Sequence, residues 1–217
     1  MCSDEENLPE YNEKIFQGAV YENLYESMQA VNVGLMVRSN VLSASLDIPN
    51  IYNAGHPGYC WLCAAVGICV YYGHTVDMSV AHNYAHNTYH MLLNCTGGTL
   101  QEALNVMNHF AGVNGTIIND KLTYYQVMVE IRNGRPIFSG WLTAVPNSAD
   151  GTINYYGHAM VICGFLYNTQ YGTFVYKLRD SNLSDYQYVY TNISDTVVDY
   201  VIGNYTFEWE TTIYDIE

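Results

Sequence analysis

A thiol becomes a nucleophile where its surroundings favour the thiolate. The stretch Gly58-Tyr59-Cys60-Trp61-Leu62-Cys63 sets two cysteines three positions apart at the head of an apolar run. Gly55, Pro57 and Gly58 make a turn just ahead of it, so a helix beginning at Cys60 surrounds that sulfur with unpaired backbone N–H groups and partial positive charge. Cys63 lies one turn inside the same helix and reads as a small core residue. A base for Cys60 is available in Gly157-His158-Ala159-Met160-Val161, where a histidine heads a buried-looking strand. Downstream, Lys177-Leu178-Arg179-Asp180-Ser181-Asn182 ends another strand with a carboxylate and an amide, either of which can orient an imidazole. The chain order is nucleophile, base, orienter.

These residues need a helix end and two strand ends to hold them. Apolar positions at 20, 24, 28, 31 and 35 recur as in an amphipathic helix over 19–37. Residues 46–50 read as an extended lead-in, because Pro49 disfavours helix at the residue before it. Helices are expected over 60–72 and 77–93. Thr99 with Glu102, and Thr123 with Gln126, have capping-box spacing and open a third helix over 100–110 and a fourth ending near Gly134. After Pro136 the segments 137–143, 159–165, 173–178, 186–190 and 205–209 are short, β-branched and aromatic. Helices first and strands later predict an α+β fold: a helical lobe followed by an antiparallel β lobe, with the active site at their junction. The expected organisation is an acidic flexible segment over 1–12, an N-terminal helical segment over 13–50 and a catalytic domain over 51–217.

Bulk properties narrow the partners. Seven Lys and Arg against 21 Asp and Glu give a net charge of −14, which repels nucleic acid and anionic lipid headgroups. The longest apolar stretch, 60–72, is shorter than the roughly 20 residues of a membrane crossing. Met1-Cys2-Ser3 followed by Asp4-Glu5-Glu6 looks like a bacterial lipoprotein cut at its lipid-bearing cysteine, which places the chain outside the cytoplasm at the cell surface, with membrane contact only through Cys2. The plain alternative is an ordinary acidic start with an incidental cysteine. Of the six cysteines, Cys63, Cys69 and Cys163 fall in apolar segments, and no obligatory disulfide framework is expected. His82, His86 and His90 share one helix face, but the outer two are about 12 Å apart and no acidic or thiol ligand stands alongside, so a solvated or packing role is expected and neither metal nor cofactor.

Four segments carry a family resemblance. Cys60-Trp61-Leu62-Cys63-Ala64-Ala65-Val66 is similar to the active-site segment of papain-like cysteine peptidases, where the nucleophile precedes Trp at the start of the central helix. Tyr156-Gly157-His158-Ala159, running on to Gly164-Phe165, resembles the strand bearing that family's histidine. Leu178-Arg179-Asp180-Ser181 resembles the strand end of its orienting Asn, with Asp180 in that place. Cys95-Thr96-Gly97-Gly98 is similar to the Gly-Gly segment against which substrate backbone pairs. The resemblance implies a cysteine endopeptidase acting on protein or peptide substrates, with catalytic Cys60, His158 and Asp180 and substrate along Gly97 and Gly98. The family's oxyanion-hole Gln position holds Ala54, so Asn53 or His56 would supply that donor. In place of the cysteine that the family bridges to the Gly-Gly segment stands Pro57, which leaves Cys95 free. The segment over 13–50 lies where an inhibitory leader would be, or is an integral part of the core. Trp141 is a candidate wall of the substrate pocket, or core.

Three rivals remain. Transglutaminase-like acyl transfer uses the same Cys, His, Asp order. A non-catalytic surface binding module would keep the fold without turnover. The Cys60 to Cys63 spacing also suits a thiol oxidoreductase, but no thioredoxin-like βαβ pattern surrounds it.

Overall fold

The computed structural model describes residues 40–52, 58–89, 97–195 and 197–217. The expected helix over 19–37, the acidic segment over 1–12, Cys2, Asn53, His56, Pro57, His90 and Cys95 lie outside the described residues.

Four helices are present among the described residues: α1 (Cys60–Tyr71), α2 (Met78–Tyr89), α3 (Leu100–Ala111) and α4 (Tyr124–Arg132). Each expected helix that falls on described residues forms, and residues 90–93 of the one expected over 77–93 lie outside them. Both capping boxes close: Glu102 N–H donates to Thr99 Oγ1 and Thr99 N–H to Glu102 Oε2, while Gln126 N–H donates to Thr123 Oγ1 and Thr123 N–H to Gln126 Oε1. Each pair satisfies two backbone donors that a helix start leaves open. Gly112, at φ 70°, ends α3 in the left-handed conformation that glycine adopts without strain.

Among the described residues eight strands form one antiparallel sheet: β1 (Val41–Ser45), β2 (Thr116–Ile118), β3 (Ile137–Pro146), β4 (Ile153–Asn168), β5 (Thr173–Arg179), β6 (Gln187–Asn192), β7 (Asp199–Ile202) and β8 (Tyr205–Tyr214). The main order is β2-β8-β3-β4-β5-β6, with β1 added on β4 and β7 on β8. β4 is the hub. One of its edges pairs with β3 from Ile153 to Ile162 and then with β1 from Gly164 to Asn168; the other pairs with β5 from Val161 onward.

The fold is mixed helix and sheet, but its chain order differs from the expected helices-then-strands. β1 precedes α1, and β2 falls between α3 and α4. Both are short strands that exist because a longer strand offers them an edge: Ser45 sits opposite Gly164, and Ile117 opposite Ile213.

β4 is buried continuously from His158 to Leu166 because both faces of the sheet are covered. Successive strand residues point to opposite faces. Ala159, Val161 and Cys163 join a core with Trp61, Leu62 and Ala65 of α1 and Val106 and Met107 of α3. Met160 and Ile162 join a second core with Trp141, Trp209, Phe174 and, from α4, Val127 and Ile131. α1 is apolar on every side, and Trp61 through Cys69 are all buried.

The segment after β1 is tied to the sheet by side chains. Lys177 Nζ donates to Ser45 Oγ at 2.7 Å, Arg179 Nε to the Ile48 carbonyl at 3.1 Å, and Tyr186 OH to Asp47 at 2.9 Å. The Lys177 ammonium and the Arg179 guanidinium each lie 3.6 Å from the Tyr186 ring centre.

Candidate active site

Cys60 is the first residue of α1. Tyr59 precedes it without a capping side-chain bond, and the first turn holds no acidic residue, so neither competes with the sulfur for the helix-start N–H groups. Among the described residues the structure brings Cys60, His158 and Asp180 into one chain of contacts. His158 Nε2 lies 3.0 Å from Asp180 Oδ1, and Cys60 is hydrogen-bonded to His158. With Nε2 taken by the carboxylate, the ring nitrogen left for the sulfur is Nδ1. His158 is 7% exposed and Asp180 fully buried.

Asp180 follows β5 directly, and its carboxylate is braced on both oxygens. Asn182 N–H donates to Oδ1 at 2.9 Å, and Tyr200 OH donates to Oδ2 at 3.3 Å. Of the two candidate orienters, the carboxylate therefore faces the imidazole, while Asn182 contributes its backbone N–H to holding that carboxylate.

The electrostatics of the three groups agree. Burial works against a charged Cys60, but the hydrogen bond and positive charge of His158, with the N–H groups of Ala159 and Trp61, outweigh it and hold the thiol below its ordinary pKa. Burial also opposes a charged His158, and Asp180 and Cys60 together raise its pKa above that of free imidazole. For Asp180, burial is overcome by the His158, Asn182 and Tyr200 donors, and the pKa falls. The other described thiols behave oppositely. Burial pushes Cys63, Cys69 and Cys163 each up to about 12, with the nearby Cys60 adding to the effect at Cys63. Of the four described thiols only Cys60 has its pKa lowered, and all four are unbridged.

Gly97 and Gly98 play different parts. A Cβ on Gly97 would meet nothing within 4 Å, so its backbone is open to an approaching chain. A Cβ on Gly98 would sit 2.3 Å from Trp61 Cδ2, so glycine there lets the segment lie against the indole next to the nucleophile. Trp141 is core and not a pocket wall: it is 2% exposed, its Nε1–H donates to Ser139 Oγ at 2.8 Å, and it stacks near Trp209 with ring centres 6.0 Å apart. Trp141 pairs directly with His158 across β3 and β4, which puts the two side chains on the same face of the sheet. The oxyanion-hole candidates Asn53 and His56 fall outside the described residues.

His82 Nε2 lies 2.6 Å from Tyr59 OH, and the His82 and His86 rings are parallel at 6.5 Å. Among the described residues no group of three or more His, Cys, Asp or Glu is arranged to hold a metal ion, and no helix is long and apolar enough to cross a membrane.

Sequence reasoning missed Tyr200 and Phe207, whose ring lies 5.9 Å from that of His158. Tyr200 is one tyrosine among 22 and sits in a four-residue strand, so no pattern singled it out.

A scan against protein-family models finds no match for this chain, and a search of curated protein sequences finds none either.

Proposed function

We propose that the chain is a cysteine endopeptidase with a papain-like arrangement, in which a helix start and a sheet meet at the reacting thiol. The observation that carries this reading is selective activation. Of the described cysteines, only the one in contact with a buried His–Asp pair has its pKa lowered.

In the proposed reaction the Cys60 thiolate attacks the carbonyl carbon of the scissile amide. The tetrahedral oxyanion takes the Cys60 backbone N–H, with Asn53 or His56 as the second donor. Collapse breaks the C–N bond as the imidazolium of His158 gives its Nδ1 proton to the leaving amine, leaving a thioester on Cys60. Water then attacks the thioester while His158 takes its proton, and the acid product leaves with the thiolate and imidazolium restored. Asp180 keeps Nε2 protonated and the ring turned toward sulfur. Gly97 offers backbone to an extended substrate.

The experiment is hydrolysis of an unfolded general protein substrate by the wild type, Cys60→Ala and Cys63→Ala. Loss in the first variant and retention in the second is expected; the reverse would remove the assignment. Including a labelled amine and a glutamine peptide separates hydrolysis from acyl transfer, since a transferase would incorporate the amine.

A further inference from the structure

The hairpin formed by β7 and β8 does more than extend the sheet. Among the described residues β7 pairs only with β8, and its register sets Tyr200 directly opposite Phe207, so both rings leave the hairpin on one face. That face covers the His–Asp pair. Tyr200 OH reaches Asp180 Oδ2, Phe207 tilts against the His158 ring at 5.9 Å, and Trp141 backs the Tyr200 ring at 6.1 Å. Tyr200 is 7% exposed and Phe207 9%, so both rings are largely buried. Among the described residues, the titratable groups facing the pair are Cys60 from α1 and Tyr200 from β7, with the Cys63 thiol next to Cys60.

We propose that Tyr200 is a positioning residue for the reaction above: its hydroxyl, donated to Asp180 Oδ2, keeps the shared proton on His158 rather than on the carboxylate, while Phe207 excludes water from the imidazole. This rests on the peptidase reading. A fully buried carboxylate stays ionised only if donors answer its oxygens. Oδ1 has two, from His158 and Asn182; Oδ2 receives the Tyr200 hydroxyl. Without that hydroxyl, Oδ2 is a buried anionic oxygen lacking the bond, and Asp180 becomes a stronger base across 3.0 Å from His158 Nε2. The proton then moves from Nε2 to the carboxylate, leaving neutral imidazole beside neutral acid. A neutral imidazole neither sustains the Cys60 thiolate nor protonates a leaving amine.

Tyr200→Phe deletes the hydroxyl and keeps the ring that packs on Trp141. Two readouts are needed: the 15N chemical shifts of the His158 ring across pH, and steady-state kinetics. The wild type should show an imidazolium persisting above the ordinary histidine value of about 6.5. In Tyr200→Phe that signature should be lost at lower pH, with kcat reduced roughly tenfold and KM unchanged. Replacing Tyr200 with 3-fluorotyrosine, a stronger donor, should carry the imidazolium to higher pH, and an unchanged imidazolium would overturn the proposal, which keeps the test decisive if Tyr200→Phe unfolds. If either variant departs from these directions, or Tyr200→Phe matches the wild type in both readouts, Tyr200 has no positioning role. If the wild type itself lacks the imidazolium, the peptidase reading fails instead.

Discussion

Gly98 lies against the indole of Trp61 so closely that a methyl group on its Cα would come within 2.3 Å of Cδ2. Trp61 is 2% exposed and locked in the core beside Cys60, so it has no room to retreat. Gly98→Ala should therefore cost about 1–3 kcal/mol through overpacking, lower Tm by several degrees and reduce kcat by disturbing the start of α1. Gly97→Ala, facing open space, should leave Tm unchanged. Equal melting of the two variants would show that the glycine at 98 is not required by Trp61.

Residues 41–45 form β1, paired with β4 from Gly164 to Asn168. Removing residues 1–45 deletes β1, bares the β4 edge from Gly164 to Asn168 and takes away the Lys177 acceptor on Ser45. The truncated chain is expected to lose both cooperative melting and hydrolysis. A rise in activity on cleavage within 39–45 would instead identify that segment as an inhibitory leader.

Stability should follow the charges of the buried pair. His158 has a raised folded-state pKa, so its contribution is fully present below the unfolded value of about 6.5 and is lost as pH rises through the folded one. Asp180 has a lowered pKa, so its contribution is present above about 3.9 and lost as pH falls through the folded value. Both act fully between about 4 and 6.5. The Tm gap between wild type and Asp180→Ala should be widest in that window and shrink toward alkaline pH. A gap that does not vary with pH would mean that Asp180→Ala acts through lost packing alone.

The pH profile of kcat/KM should be a bell, its acidic limb set by protonation of Cys60 and its alkaline limb by loss of the His158 proton. Asp180→Ala should narrow it from the alkaline side, because the carboxylate is what holds His158 charged. An unchanged alkaline limb would detach Asp180 from the histidine.

Much of this site was legible because its parts are local. The turn before Cys60, the all-apolar run after it and the strand end before Asp180 each announce themselves within a few residues, as both capping boxes do; His158, expected at the head of a strand, instead stands inside β4, where the buried part of that strand begins. What stayed hidden depends on pairing between distant segments. β1, β2 and β7 are three to five residues long, too short to show a period, and form only on the edges of β4 and β8. Trp141 looked like a possible pocket wall because residue polarity does not follow burial there: Leu142 is exposed and Thr143 buried, so the residue types do not assign its side. Gly98 read as a place for substrate, when its nearest constraint is an indole from another element. Tyr200 meets Asp180 only once the hairpin has folded over the pair.

The central claim is that Cys60 and His158 form a thiolate–imidazolium pair at the start of α1. The most direct test is the rate of Cys60 alkylation against pH, read by mass spectrometry, in the wild type and in His158→Ala. The wild type should react through a midpoint well below the ordinary thiol value of about 8.5, and His158→Ala should move that midpoint upward. If both proteins titrate as a single ordinary thiol near about 8.5, Cys60 is not paired with His158 and the catalytic reading is contradicted.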